Sequence, residues 1–257
     1  MPGIKDGLTG RKVQATEMKW NKKYKYPKSI RELINNKRHY DVGEEKLPSV
    51  TTILSGTESD EKREAIAKWK RRVGSVEAES VKNKAATRGT ALHSYLEKYI
   101  LGEGLLDMTE QGVEAERMAK VIIEKGLPDL EEIWGSECVL HYPGLYAGAT
   151  DLCGIYQGRE SIIDFKQSNK PKREEYIGDY YLQLVAYATA HDQVYGTQIE
   201  QGVILMCTPD LFFQKFVING AKFRQHKWEW LKRVDAFYSS QSYKNRSGGE
   251  SRGASGG

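Results

Sequence analysis

The sequence predicts a mixed α/β fold: a central mixed β-sheet flanked by helices, with a basic extension and helices at its N-terminal side. Three observations lead there. Helical periodicity dominates residues 60–125, strand-like apolar runs dominate 133–167 and 199–218, and one helical stretch separates those two strand blocks. The chain's 257 residues suffice for a substantial core, and 39% hydrophobic residues with 15 tyrosines and 5 tryptophans suit a folded protein. No internal repeat and no Gly-rich phosphate loop interrupts the order.

Residues 1–37 read as a basic arm. Positions 1–40 hold eleven Lys/Arg against Asp6, Glu17 and Glu32, a net +8, while the remaining 217 residues sum to −4. In Lys19-Trp20-Asn21-Lys22-Lys23-Tyr24-Lys25-Tyr26 cations alternate with rings, which suits phosphate neutralisation and stacking on unpaired bases, or else a solvated tail. A mitochondrial transit peptide fits less well, because such segments are Arg-rich and poor in acid. No run approaches the roughly 18 apolar residues of a membrane span and no secretory signal is present, so the expected setting is cytoplasmic, with no membrane partner. Cys138, Cys153 and Cys207 are odd in number, scattered and without a C-x-x-C pair, so they read as buried reduced thiols rather than a disulfide framework or a zinc site.

Next come two β-branched runs, 39–43 and 47–54, split by Gly43 and expected to form a short hairpin. A helix over 60–73 follows, capped by Ser59 or Asp60, ended by Gly74, with Ile66 and Trp69 as buried positions. A second helix spans 75–100, its apolar or small positions recurring at Ala85, Ala86, Leu92, Leu96 and Tyr99 or Ile100. His93 and Glu97 lie four apart on one face of it, with Arg88 about a turn and a half earlier. Gly89 costs about 1 kcal/mol there against Ala, which suggests close approach of another backbone. A third helix covers 110–125 with Val113, Ala119, Ile122 and Ile123 buried, and Gly126-Leu127-Pro128 stops it.

Strands are expected over 133–142, carrying Glu137, then 146–156 and 161–167. Lys170-Pro171-Lys172-Arg173 is a basic turn able to meet phosphate, with Lys170 and Lys172 as substrate contacts. A helix over 174–195 sets Gln183 and Tyr187 four apart, an amide and a phenol suited to holding a phosphate or to packing. Strands over 199–207 and 212–218 join through Pro209-Asp210, and a helix over 223–238 with Trp228, Leu231 and Phe237 closes the body. From 239 on, the Ser/Gly/Arg-rich sequence reads as a flexible tail, leaving 38–238 as the folded domain.

The chemistry concentrates in the hairpin 146–167. With a two-residue loop starting at Gly158, as a type II′ turn prefers, Gln157 faces Glu160, Asp151 faces Lys166, and Asp164 shares their side of the sheet. Opposed side chains lie about 4.5–5.5 Å apart at Cβ, so the two acids come within reach of one hard cation beside an ammonium. Only a loop of even length keeps Asp151 on that side. Two carboxylates hold Mg²⁺, the ion polarises a phosphate and acidifies a water, and the lysine orients that water, which are the parts of phosphodiester hydrolysis. A surface Asp–Lys pair is the plain alternative.

Arg88-Gly-Thr-x-x-His93-x-x-x-Glu97, Glu137, Gly148-x-x-Asp151, Asp164-x-Lys166 and Gln183-x-x-x-Tyr187 occur in the order, and near the spacing, of the RecB-like branch of the PD-(D/E)xK nuclease superfamily, which the chain resembles over about residues 38–220. Mitochondrial genome maintenance exonucleases and their phage-encoded relatives share in addition a basic N-terminal region and a segment like Leu47-Pro-Ser-Val-Thr-Thr-Ile-Leu54. The resemblance implies a restriction-endonuclease-like fold and a Mg²⁺-dependent DNA exonuclease, with Mn²⁺ as a substitute, acting on single-stranded ends. It makes His93, Asp151, Asp164 and the Phe165 carbonyl metal ligands and Lys166 the residue that positions water. Gln183 and Tyr187 then grip the DNA backbone, Arg88 and Glu137 lie on the substrate side, and Glu97 supports His93. Thr150-Asp151 stands where the family name has Pro-Asp. Three scattered cysteines do not match the four that bind an iron–sulfur cluster in some members, so that cofactor is not expected. A structure-specific endonuclease and a catalytically silent DNA-binding module of the same fold are the alternatives.

Overall fold

The computed structural model describes residues 18–105 and 107–247. The first 17 residues of the basic arm and residues 248–257 of the expected tail lie outside the described residues. Strands β1 (Ile30–Ile34), β2 (Lys37–Val42) and β3 (Glu45–Pro48) form a small antiparallel sheet. The second half of the expected 39–54 hairpin is instead mostly helix, α1 (Val50–Gly56). Ser49 caps it by accepting the Thr52 N–H at 3.0 Å, and Val50, Ile53 and Leu54, spaced one turn apart, are buried. Capping and burial together outweigh the strand preference of the β-branched run.

Helix α2 (Asp60–Val73) begins at Ser59 and ends at Gly74, as expected, but it buries none of its residues and Ile66 is 41% exposed. Its main neighbour among the described residues is α3 (Ser75–Ile100). α3 buries Leu92, Leu96 and Ile100 at four-residue steps, and α4 (Glu110–Lys125) buries Gly112, Ala115, Met118, Ala119 and Ile122. That stripe leaves Val113 40% exposed, so the buried face of α4 is turned away from it.

The main sheet runs β4 (Leu130–Tyr142), β5 (Tyr146–Tyr156), β6 (Arg159–Gln167), β7 (Gln201–Cys207), β8 (Phe213–Asn219) in spatial order. All pairs are antiparallel except β6 with β7, which α5 (Gly178–Tyr195) connects as a crossover. On one face Leu92, Leu96, Met118 and Ile122 pack in one core with Leu152, Ile163, Phe165 and Leu205. On the other, α5 and α6 (Gly220–Ser247) bring Tyr181, Val185 and Trp230 together with Trp134, Cys153, Ile162 and Ile204. α6 continues past residue 238 because 239–247 contains neither Gly nor Pro. All three cysteines are buried free thiols. Among the described residues, no helix is long and apolar enough to cross a membrane.

The arm's aromatic segment is not free. Ile133 N–H donates to the Lys19 carbonyl (2.9 Å) and Asn21 N–H to that of Ile133 (2.8 Å), covering the open edge of β4. Trp20 then packs with the α3/α4 core, while Tyr24 and Tyr26 pack with the opposite one, Tyr24 at 5.3 Å from the Trp134 ring and 4.9 Å from His191. The rings expected to stack on bases therefore stack on the protein.

Candidate metal centre

The hairpin between β5 and β6 turns through Gln157 and Gly158, with Tyr156 paired to Arg159. Both turn residues have positive φ, 50° and 73°, which makes this a type I′ loop one residue earlier than expected. The loop is still two residues long, so the register moves by two and every side chain keeps its face. The last ladder pair is Leu152 with Ile163, and one step on Asp151 comes level with Asp164 rather than with Lys166.

There the strands part. Phe165 N–H, with no strand partner on that side, donates to Asp151 Oδ2 at 2.5 Å. From α3, His93 Nε2 reaches the Phe165 carbonyl at 2.7 Å and lies 3.4 Å from Asp151 Oδ2. Lys166 Nζ sits 2.5 Å from Asp164 Oδ2 and 5.2 Å over the ring of Tyr180. The carboxylates, the imidazole, the carbonyl and the ammonium thus converge where β5 and β6 diverge.

Their charges are set by one another. Burial alone pushes His93 down, but the adjacent Asp151 outweighs it and raises its pKa to about 9, so the ring is cationic at neutral pH and donates to Phe165. Burial also pushes Asp151 up, but His93, Lys166 and the Phe165 N–H hold it below the usual carboxylate range. Asp164 is raised, by burial first, partly offset by Lys166 and reinforced by Asp151. Lys166 is raised because Asp164 and Asp151 overcome its desolvation. Two neighbouring carboxyls are thereby driven apart in acidity.

Around this centre the remaining expected residues fall into different places. Glu137 sits in β4 between Ser136 and Cys138, which pair with Leu152 and Thr150, so it lies opposite Asp151. Its φ is 51°, a backbone conformation uncommon for a non-glycine residue in a strand. Desolvation and then Asp151 push its carboxyl up to about 7. Glu97 contributes to that rise, and it forms no bond to His93 among the described residues. Gln183 Nε2 donates to Tyr187 Oη at 3.1 Å, and the Tyr187 ring lies against Gly148, where a Cβ would come 2.7 Å from Cε1. Gly148 is what admits that ring.

Arg88 faces inward rather than toward a substrate. It is 8% exposed and donates to Gln167 Oε1 (2.9 Å), Glu114 Oε2 (3.1 Å) and Asn169, bracing α3 against α4 and the end of β6. At Gly89 the nearest atom to an added Cβ is Gln167 Cγ at 3.7 Å, an ordinary contact, so no backbone approaches there. Lys170 is exposed on the loop after β6, and Lys172 follows it on a backbone docked to Gln214. Tyr180, beneath Lys166, was not anticipated. Its signal was available: Tyr180, Gln183 and Tyr187 share one helical face.

Oxygen-rich donors with one imidazole suit a hard divalent cation. Asp164 Oδ2 is buried and accepts no well-angled hydrogen bond, although Lys166 lies against it. Among the described residues no three His, Cys, Asp or Glu donors are spread into an open cage, because His93, Asp151 and Asp164 are drawn onto Phe165 and Lys166. A bound ion would exchange those internal bonds for ligation. The donor set fits.

A mixed sheet that delivers Asp from one strand and Asp-x-Lys from the next at their point of divergence, with the crossover helix behind, resembles the PD-(D/E)xK nuclease fold. With His93 arriving from the preceding helix, the chain resembles the RecB-like branch of that superfamily. It is 25% identical over 208 residues to human mitochondrial genome maintenance exonuclease 1, covering 77% of this chain and 60% of that protein. To the same-named mouse protein it is 29% identical over 174 residues, covering 64% and 50%. The chain thus spans 50–60% of the length of these curated relatives. No family model matches it. Among solved structures, a putative exonuclease from Eubacterium rectale gives a TM-score of 0.43 at 13% identity, covering 58% of this chain and 64% of that one. LHK-Exo in complex with dAMP gives 0.34 at 16% identity, covering 64% and 92%.

Proposed function

We propose that this protein is a divalent-metal-dependent DNA exonuclease with a preference for single-stranded ends. The observation that carries the reading is the meeting of His93, Asp151, Asp164, the Phe165 carbonyl and Lys166 at one point. Asp151, Asp164, His93 and the Phe165 carbonyl would hold Mg²⁺, or Mn²⁺ as a substitute, which when bound would supply charge to polarise the scissile phosphate and acidify a water. Lys166, kept charged by its carboxylate neighbours and backed by Tyr180, donates to the attacking water and steadies charge developing on phosphate. Gln183, oriented by Tyr187, offers its amide to a non-bridging oxygen of the substrate backbone. Arg88 keeps α3, and with it His93, in register with β6. Lys170 and Lys172 attract phosphates at the rim.

The single-strand preference follows from the resemblance to RecB-like nucleases. The exonuclease names of the relatives support end-directed cleavage. Sequence preference is weak on this reading, since backbone contacts carry no base information.

The test is an end-labelled linear single strand beside a circular one, across a Mg²⁺ titration. Asp164→Ala and Lys166→Ala are expected to lower cleavage by about a hundred- to a thousandfold, as loss of a preorganised charge-stabilising group does, with DNA binding largely kept. An alanine variant with full activity overturns the site. Opening of the circle makes the protein an endonuclease, and no metal-dependent cleavage at all makes it a silent DNA-binding module.

A further inference from the structure

Two large rings stand in solvent at the end of the sheet where β6 and β7 stop, just past Lys166: Tyr176, 70% exposed, and Phe212, 51% exposed. Neither position is loosely held. Tyr176 closes a 3₁₀ turn through its N–H to the Arg173 carbonyl (3.0 Å), and the next residue, Ile177, is 1% exposed in the core beneath it. Phe212 ends a loop closed on Thr208: the Thr208 N–H donates to the Phe212 carbonyl (3.1 Å), the Phe212 N–H to Thr208 Oγ1 (3.1 Å) and the Leu211 N–H to the Thr208 carbonyl (2.8 Å). Within that loop Leu211 takes a left-handed φ of 66°, rare for a branched side chain. The backbone is strained to hold an aromatic ring outward, where burial gives it no stabilisation.

Lys172 docks its backbone on Gln214, two residues beyond Phe212, by hydrogen bonds of 2.7 and 2.8 Å, and Lys170 precedes it. The acids nearby are already engaged: Glu174 by Tyr181 and Lys222, Glu175 by Arg173, Asp210 by Thr208. Lys170 and Lys172 have no ion-pair partner among the described residues. Exposure also rises outward from the centre, from Tyr187 at 3% through half-buried Gln183 and Tyr180 to Tyr176 at 70%. Unpaired cations together with presented rings, at the end of the sheet that carries the proposed phosphate-handling centre, form the pattern that grips an unpaired strand: charge holds the backbone and each ring takes a base face regardless of its identity.

We propose that Tyr176 and Phe212 are base-stacking residues that hold unpaired bases of the substrate strand beside the metal centre, with Lys170 and Lys172 on its phosphates. The inference rests on the nucleic-acid reading above for the identity of the strand.

The experiment measures binding of the metal-free, full-length protein to a short fluorescent oligo-dT and to an abasic strand of the same length. Tyr176→Ala and Phe212→Ala are each expected to weaken oligo-dT binding by about 5- to 100-fold, the worth of one stacked base, with an unchanged slope against salt. Tyr176→Trp and Phe212→Trp should bind within about twofold of the parent, since any ring offers a stacking face. On the abasic strand the alanine variants should match the parent. Alanine variants that bind oligo-dT like the parent, or lose as much on the abasic strand, overturn the proposal, as does a parent that binds neither. Leucine at each position repeats the test without a ring should an alanine variant melt early. Parent protein that binds with the stacking signature yet never cleaves in Mg²⁺ sinks the nuclease reading alone, whereas cleavage with indifferent ring variants sinks this one alone.

Discussion

His93 is asked for two incompatible protonation states. With Asp151 beside it the ring holds its proton up to about pH 9, and that proton sits on the nitrogen nearest Phe165 and Asp151. A metal ligand must offer a lone pair, so an arriving cation expels the proton. Affinity for Mg²⁺ or Mn²⁺ should therefore rise between pH 7 and pH 9, by up to about tenfold per unit for one displaced proton, and level off above. Calorimetry in buffers of different ionisation enthalpy should report about one proton released per ion, and His93→Asn should abolish both effects. A flat affinity profile in the parent would remove His93 from the ligand set. A second residue-scale consequence follows from Gly148. A Cβ there meets Tyr187 Cε1 at 2.7 Å and Oη at 3.1 Å, and the ring is 3% exposed with nowhere to move. Gly148→Ala should destabilise the fold by about 1–3 kcal/mol, as overpacking does, and lower cleavage by displacing Gln183, although no metal ligand is touched. Denaturant melts and single-turnover rates on the same preparation separate the two effects.

At the scale of elements, the β5–β6 hairpin shows which sequence signals survive folding. Period two and an even loop place Asp151, Asp164 and Lys166 together whichever two residues form the turn, so a misplaced turn left the site intact. Gly158→Ala tests the turn itself. At φ 73° the methyl should cost about 1 kcal/mol in urea unfolding while leaving cleavage unchanged, because core residues such as Cys153 and Ile162 fix the register. The approximate spans of α3 and α4 were readable because Gly74 and Gly102 bound the one and Thr109 and Gly126 the other. What could not be read is whether an apolar face meets a partner. Ile66 has the spacing of a core residue, but α2 buries none of its residues against its main neighbour α3, and the rings of the arm have the spacing of a base-stacking segment but found Trp134 and His191. The approach of His93 to β6 is likewise a tertiary fact. Periodicity places it on a helix face, and only the resemblance to RecB-like nucleases pointed that face at the acids.

Across the whole molecule, residues 18–26 tie the two faces of the sheet together at the β4 edge, and His191 is where that strap is fastened. Thr197 Oγ1 donates to Asp192 Oδ1 at 2.8 Å, so it accepts from His191 Nδ1–H (2.8 Å), leaving Nε2 to accept from Tyr26 Oη at 3.1 Å. This is a neutral imidazole, closed in by Tyr24, Tyr195 and Trp134 with ring centroids at 4.9, 4.7 and 5.8 Å. Burial, and then the charge of Lys23, push its pKa down to about 4. The unfolded chain takes up that proton below about pH 6.5, whereas the folded one resists until about pH 4. Between those values the unfolded state binds more protons, so stability falls as pH falls, by up to about 3 kcal/mol over the window. Glu137, held up to about 7, contributes with the opposite sign over nearly the same window, so the readout is a difference: between pH 6.5 and pH 4.5 the parent's urea midpoint should fall relative to that of His191→Gln, and amide exchange at 19–26 should accelerate before that of the sheet interior, since protonation breaks the Tyr26 bond first. His191→Gln should be less stable at pH 7 yet shallower in its acid slope. A variant that kept the full slope would move the cause elsewhere, and unchanged exchange in the strap would show that His191 fastens something other than residues 18–26.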